Sequence, residues 1–174
     1  MERVFNVVWV GCLLLFFGSS PWLPEQVGDP GKEMPRLFYI ALLGFTLWTT
    51  PWIVGPGMVR LLRGMGSGGV NLPHAAYWFE GERRAESLKR LEPYNLEVGC
   101  VTAVFLLAVS AAVHFPGEQV WGLKLGLFLT FTLTGALLLW LAAWMVRVMR
   151  AFPKPPLDAD LPAAGPRRPR RPGE

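Results

Sequence analysis

Residues 70–84, VNLPHAAYWFEGERR, contain side-chain types that acid–base chemistry and anion binding use. Histidine is a common general base, and a nearby carboxylate could orient His74 for that role. The nearby carboxylates are those of Glu80 and Glu82, and the groups that could bind an anion are Arg83 and Arg84. The sequence adds no nearby second histidine, no metal-ligand spacing and no nucleophile motif. We therefore predict no enzyme activity, no cofactor and no metal site.

The composition of the chain indicates the class of fold that holds this segment in place. Of the 174 residues, 52% are apolar and only 17% are charged, whereas about 25% are charged in ordinary soluble domains. Long apolar stretches of the chain contain almost no charged residues, which is typical of a multi-pass membrane protein. Both cysteines, Cys12 and Cys100, lie in apolar runs without a CxxC pattern, so neither a disulfide nor a zinc site is favoured.

These apolar stretches predict an all-α integral membrane fold with four transmembrane helices, at about residues 4–23, 37–59, 96–115 and 120–146. The apolar core of the first span is short enough for a cleaved signal peptide, but we expect an uncleaved helix. Pro51 and Pro56 should kink the second span or end it early, because each lacks a backbone N–H. The sequence HFPG at residues 114–117 should close the third span in a turn.

Basic residues predict the orientation of the spans. If the amino terminus is cytoplasmic, fourteen of the 17 Lys and Arg residues fall on the inner side, and only Lys32, Arg36 and Lys124 fall outside. Such a bias favours a membrane protein with both termini in the cytoplasm. Residues 1–150 would then be a four-span membrane domain with a cytoplasmic loop at 60–95. Residues 151–174, rich in Pro and Arg, would be a disordered cytoplasmic tail with no role in nucleic-acid binding.

The cytoplasmic loop divides into a glycine-rich spacer at 64–69, a short turn and a helix at 81–92. Asn71 is placed to cap the turn, with Pro73 near its first position. The helix has a basic face and an apolar stripe of Ala85, Leu88 and Leu91, preceded by three rings at 77–79. This pattern is typical of an interfacial helix whose rings lie among lipid headgroups and whose arginines bind anionic phosphates. Lipid is therefore one predicted partner.

The same segment carries a resemblance to a known family. Its residue types and their spacing, followed closely by a transmembrane span, are similar to those of bacterial membrane proteins with a DUF1648 domain, the domain at the amino end of SdpI-type proteins. The matching residues are Asn71, Leu72, Pro73, Tyr77, Trp78, Glu82, Arg83 and Arg84. The resemblance extends over roughly residues 3–150. It implies these residues as an interaction motif, residence in a bacterial inner membrane, and a role in immunity to a secreted toxic peptide or in signalling its presence.

We therefore predict a non-enzymatic sensing, signalling or toxin-immunity accessory protein, with a possible protein partner at the cytoplasmic loop. Two other functions stay open at this point. One is a subunit of a transporter for ions or small molecules. The other is a membrane-surface enzyme that uses His74, Glu80 and Arg83.

Overall fold

Long apolar runs form the helices of this protein. The computed structural model describes residues 1–27, 31, 33–65, 69–112, 119–120 and 123–156. Within them, four helical stretches are long and apolar enough to span a membrane, and they are Glu2–Trp22, Arg36–Gly64, Arg83–Ala112 and Leu125–Ala151. The predicted mostly helical fold with four helices of membrane-spanning length is confirmed, whereas their insertion in a membrane stays a prediction. The predicted turn at 114–117 and the tail from residue 157 onward lie outside the described residues.

The first two membrane-length stretches are joined by a small hairpin. Helix α1 (Glu2–Ser19) ends in a 3₁₀ turn, Ser20–Trp22, and strands β1 (Gln26–Val27) and β2 (Met34–Pro35) then pair antiparallel. The second stretch consists of α2 (Arg36–Trp52), a π-helical turn (Ile53–Gly57) and α3 (Met58–Gly64). The helix continues past both prolines, so it does not end early. The wider π turn accommodates the ring of Pro56, which would collide with a carbonyl group in a regular α-helix.

The third stretch differs from the prediction of two separate helices. After the short helix α4 (Ala75–Phe79), a single helix α5 runs from Arg83 to Ala112 and includes both the predicted interfacial helix and the predicted third span. Pro93 lies inside α5 and removes one backbone hydrogen bond. The helix persists because the residues on both sides of Pro93 are packed, Leu91 in a buried cluster that includes Val148 of α6 and Gly99 against the π turn. Helix continuity is therefore decided by packing here.

The fourth stretch begins later and ends later than predicted. Strands β3 (Gln119–Val120) and β4 (Leu123–Lys124) form a second hairpin, and α6 runs from Leu125 to Ala151. Helix α6 packs mainly on α5, whereas α5 also contacts α1, α2, α3 and α4. Large apolar side chains such as Phe131 and Leu139 on α6 are exposed on the outside of the bundle. Helix α5 is thus the central element of the fold.

Two buried clusters hold the helices together. The bundle core joins α1, α2 and α5 with the first hairpin, and its members are Cys12, Phe16, Leu23, Val27, Tyr39, Leu47 and Ala103. The second, which we call the end cluster, lies where α3, α4, α5 and α6 meet at one end of the bundle. Its buried members are Leu62, Val70, Phe79, Leu91, Val148 and Phe152. Residues 70–84 contribute Val70 and Phe79 to this end cluster.

Candidate functional site

The segment 70–84 folds back onto the helix ends instead of extending away from them. Val70 and Phe79 are buried in the end cluster, and Leu72, Ala75 and Trp78 pack against it. Leu88 and Leu91 of α5, two of the three residues of the predicted apolar stripe, also pack there, while Ala85 is exposed. Most of the stripe therefore contacts the protein itself.

Arg84 closes the carboxyl end of α3. Its guanidinium Nη2 donates to the carbonyl oxygens of Leu62 at 3.2 Å and Arg63 at 3.0 Å, and also to that of Met65. The last carbonyl groups of a helix have no partner within the helix, and they carry the negative end of its dipole. A guanidinium group donates hydrogen bonds to these carbonyl groups and also places a positive charge at the negative end of the dipole. Arg84 thus joins the start of α5 to the end of α3.

Trp78 and Phe79 hold the chain that follows α6. The ring of Phe152 lies 5.8 Å from the Trp78 ring in an edge-on arrangement and 5.5 Å from the Phe79 ring. The indole Nε1 of Trp78 donates to the carbonyl oxygen of Pro153 at 3.2 Å. Aromatic pairs of this kind contribute about 0.5–1.5 kcal/mol each beyond the area they bury. The rings therefore lock α4 to the end of α6.

Two arginines of α5 stack on rings of this segment. The Arg83 guanidinium lies 4.1 Å from the centre of the Tyr77 ring and donates to the Tyr77 carbonyl oxygen at 3.3 Å. Arg90 lies 5.6 Å from the centre of the Trp78 ring and donates to the carbonyl oxygen of Ala151 at 3.3 Å. Cation–π contacts at exposed sites are worth about 0.5–1 kcal/mol. Arg83 stays exposed, so it can still bind an external group.

The other side of the segment is open to the surroundings. Asn71, Pro73, His74, Ala76 and Glu82 are exposed, and together with Tyr77 and Arg83 they form what we call the outer face. Asn71 does not cap α4, because that helix begins further along the chain, at Ala75, with His74 as its N-cap. His74 has a left-handed backbone with φ of 58°, which turns the chain into α4. The predicted motif thus divides into an inward half, which includes Leu72, Trp78 and Arg84, and an outward half.

Ion pairs support the helix ends beside this segment. Arg63 and Glu92 are 3.4 Å apart and join α3 to α5, and Arg147 and Glu97 are 2.7 Å apart and join α6 to α5. The side chains in these pairs are between 27% and 60% exposed, and such partly solvated pairs contribute about 0–1 kcal/mol. They set the positions of the helices more than they add stability.

The three residues of the alternative enzyme site, His74, Glu80 and Arg83, lie in different surroundings. His74 is exposed, Glu80 is half-buried, and Arg83 is directed to the Tyr77 ring. Within the described part of the chain, no three His, Cys, Asp or Glu side chains form a group that could hold a metal ion.

Sequence reasoning missed two residues that matter for the site. Phe152 was placed in a disordered tail, but it is 2% exposed and lies between the rings of Trp78 and Phe79. An aromatic residue directly after a long apolar helix is a weak signal of such packing. Asn95 is buried, with its backbone carbonyl beside Gly55 of the π turn, and its only sequence signal is an amide side chain in the approach to an apolar run.

Comparisons of this chain with protein-family models, with curated proteins and with solved structures gave no match. The resemblance to DUF1648 proteins therefore stays a prediction from the motif residues.

Proposed function

We propose that this chain is a non-enzymatic accessory protein of the bacterial inner membrane, with both termini in the cytoplasm, that acts in sensing, signalling or toxin immunity. The four apolar helices support residence in a bilayer, and the exposed apolar surface of α6 suits contact with lipid. The immunity or signalling role rests on the motif resemblance to DUF1648 and SdpI-type proteins.

The charge distribution supports the orientation. Arg60, Arg63, Lys89, Arg90 and Arg150 lie on the helices around the end cluster, at the same end of the bundle as the segment 70–84. By the positive-inside rule, that end faces the cytoplasm. Exposed arginines there are also available to anionic lipid headgroups, at up to about 1 kcal/mol for each residue near the surface.

The observation that carries the signalling proposal is the continuity of α5. This helix begins at Arg83, beside the outer face, and its far end reaches Ser110, whose carbonyl oxygen accepts a 3.2 Å hydrogen bond from the Tyr39 hydroxyl of α2. Thirty residues of α-helix extend about 45 Å. One continuous helix therefore connects the hairpin end of the bundle with the motif. A displacement at one end would be transmitted to the other, as a sensing protein requires.

The outer face is the proposed docking site for a cytoplasmic protein partner. The inward half of the motif fixes its shape through Arg84 and Trp78, while His74, Glu82 and Arg83 remain exposed for contact. A rigid surface loses little conformational entropy on binding, which favours specific recognition. In this proposal the inward half of the motif stabilises the fold, and the outward half binds the partner protein.

In-cell photocrosslinking tests the docking proposal. A photoreactive phenylalanine analogue replaces Ala76, which is exposed on the outer face, and a matched probe replaces Gln26, which is exposed in the first hairpin. The proposal predicts a discrete protein adduct from position 76 that is absent from position 26. Adducts only with lipid or within the chain at position 76 would refute a docking role and would favour an interfacial anchor.

A further inference from the structure

An apolar groove lies on the outside of the bundle between α5 and α6. Its α5 wall extends from Cys100 to Ala108 and its α6 wall from Leu133 to Trp140, and Val8 of α1 also lines it. All the residues that line it are apolar. On each helix they recur at the three- and four-residue spacing of a single face, so the groove is parallel to the helix axes.

The size of the groove suits one extended hydrocarbon chain. Its volume is about 390 Å³, and it is open to the surroundings, since Val104 and Ala136 in its walls are exposed. At a rise of 1.5 Å for each residue, the α5 wall is about 12 Å long. Half of a hydrocarbon core of ~30 Å is about 15 Å, so the groove extends over most of one leaflet.

A helix from a second copy of the chain is too wide to enter the groove. With its side chains an α-helix is about 10–12 Å across, so about 12 Å of its length occupies roughly 900–1,400 Å³. That is more than the groove can hold at about 390 Å³. An acyl chain is much thinner and can lie between the two walls without separating them.

A cationic side chain lies beside the Trp140 end of the groove. The Arg147 guanidinium is 6.0 Å from the centre of the Trp140 ring, and its Nη2 donates to Glu97 Oε1 at 2.7 Å. A guanidinium carries five N–H donors, and the Arg147 side chain is 46% exposed, so the pair with Glu97 leaves it accessible to a further acceptor. Arg150, on the next turn of α6, is also exposed.

The charges at this end of the groove favour an anion. Arg147, Arg150 and Glu97 together leave a net positive charge, and the planar guanidinium group matches the geometry of phosphate oxygens. Tryptophan rings near the ends of membrane-spanning helices commonly lie at the level of the lipid headgroups. A lipid whose chain lies in the groove therefore has its phosphate near the Arg147 guanidinium.

We propose that this groove is a binding site for one anionic phospholipid, whose acyl chain lies along the groove and whose phosphate is bound by Arg147. The inference rests on the proposed residence of the chain in a bilayer. In the proposed orientation, the lipid belongs to the cytoplasmic leaflet. Because the groove has one wall on α5 and the other on α6, the bound lipid contacts both helices.

Native mass spectrometry of the full-length protein in detergent tests this site, with phosphatidylglycerol and phosphatidylcholine of identical acyl chains as probes. We expect one tightly bound phosphatidylglycerol, preferred over phosphatidylcholine by about tenfold. Ala136→Phe, which fills the groove, should weaken the binding of both lipids by about tenfold. Ala142→Phe, at an exposed position of α6 outside the groove, should leave binding unchanged. Equal lipid binding by the two variants would overturn the proposal.

The ion pair beside the groove separates phosphate binding from a purely structural role. Arg147→Gln should lower the preference for phosphatidylglycerol by about fivefold. Glu97→Gln breaks the same 2.7 Å pair but leaves the charge of Arg147 uncompensated, so it should raise the affinity for phosphatidylglycerol. If the pair only held α5 and α6 together, both variants would lose lipid alike, and that result contradicts the proposal.

Cell fractionation distinguishes a failure of this inference from a failure of the proposed function. Recovery of the protein only in the soluble fraction would refute both. Recovery in the membrane fraction, without a preference for phosphatidylglycerol, would refute the lipid site alone. A lipid-free dimer that Ala136→Phe disrupts would assign the groove to a second copy of the chain, and it would also refute the lipid site.

Discussion

The indole Nε1 of Trp9 donates a hydrogen bond to the carbonyl oxygen of Leu47 at 3.2 Å. In a regular α-helix this carbonyl would accept from the N–H of residue 51, which is Pro51 and has none. A side chain of α1 therefore supplies the donor that α2 lacks. The contact explains how α2 passes Pro51 without leaving a polar group unsatisfied in an apolar bundle.

This relationship predicts a coupling between the two residues. Trp9→Phe should lower the free energy of unfolding by about 1–3 kcal/mol, because it leaves the Leu47 carbonyl without a donor. In a Pro51→Ala background the loss should be smaller, because the backbone N–H that this substitution restores then bonds to the Leu47 carbonyl. Denaturant unfolding of the four variants in detergent gives the coupling energy. Trp48→Phe, at an exposed site, is the control. Equal losses from Trp9→Phe in both backgrounds would contradict the interpretation.

A second prediction concerns the close approach of α5 to the π turn. A Cβ atom on Gly99 would lie 2.9 Å from the carbonyl oxygen of Pro51 and 3.1 Å from the Cα of Gly55, and both are backbone atoms. Gly99→Ala should therefore force the helices apart and cost about 1–3 kcal/mol of stability.

Gly135 of α6 is the matched control for this test. A Cβ atom there would meet nothing within 4 Å, so Gly135→Ala should be neutral or slightly stabilising. Unfolding of both variants in detergent compares the two positions. Similar stability for Gly99→Ala and Gly135→Ala would show that the contact between α5 and the π turn is looser than described.

The two adjacent arginines should behave differently. Arg84→Gln removes hydrogen bonds to the end of α3 and should cost about 1.5–3 kcal/mol, because bonds from a charged donor are lost. Arg83→Gln removes an exposed stacking contact with Tyr77 and should cost about 0.5–1 kcal/mol. Unfolding in detergent, where no anionic lipid is present, measures both losses. If both arginines acted only on lipid phosphates, neither variant would change stability in detergent.

A fourth prediction concerns the ring that closes the end cluster. Phe152→Ala should cost about 3–5 kcal/mol locally, because Phe152 is 2% exposed between two rings. The segment 70–82 should then open and become sensitive to added protease in detergent. Phe131→Ala, which truncates a 66% exposed ring of α6, should leave the protease sensitivity unchanged. Equal resistance of Phe152→Ala and the unchanged protein would mean that α4 is held without this ring.

Apolar runs of sufficient length predicted four helices because hydropathy is a local property of the chain. The helix at 81–92 was also predictable, from pairs such as Glu86 and Arg90, which are 3.2 Å apart in the structure. Its continuation through Pro93 was not, because local preference favours a boundary before a proline and packing on both sides overrides it.

The site was predictable only in part. The motif residues 71–84 were found by residue type and spacing, but their roles depend on partners far away in the chain. Arg84 binds residues about 20 positions earlier, and Trp78 binds Pro153, which is 75 positions later. No local pattern specifies such contacts, so the sequence alone could not separate the inward half of the motif from the outer face.

The side of the membrane on which the end cluster lies is the most direct test of the proposed docking role. In a background without Cys12 and Cys100, Gly64→Cys places a thiol at the end of α3, and Gln26→Cys places one in the first hairpin. A membrane-impermeant maleimide is added to intact bacterial spheroplasts and, in parallel, to permeabilised ones. If the end cluster is cytoplasmic, position 26 is labelled in both samples and position 64 only after permeabilisation. Labelling of position 64 in intact spheroplasts would place the end cluster and its motif outside the cell and would contradict the proposed cytoplasmic docking role.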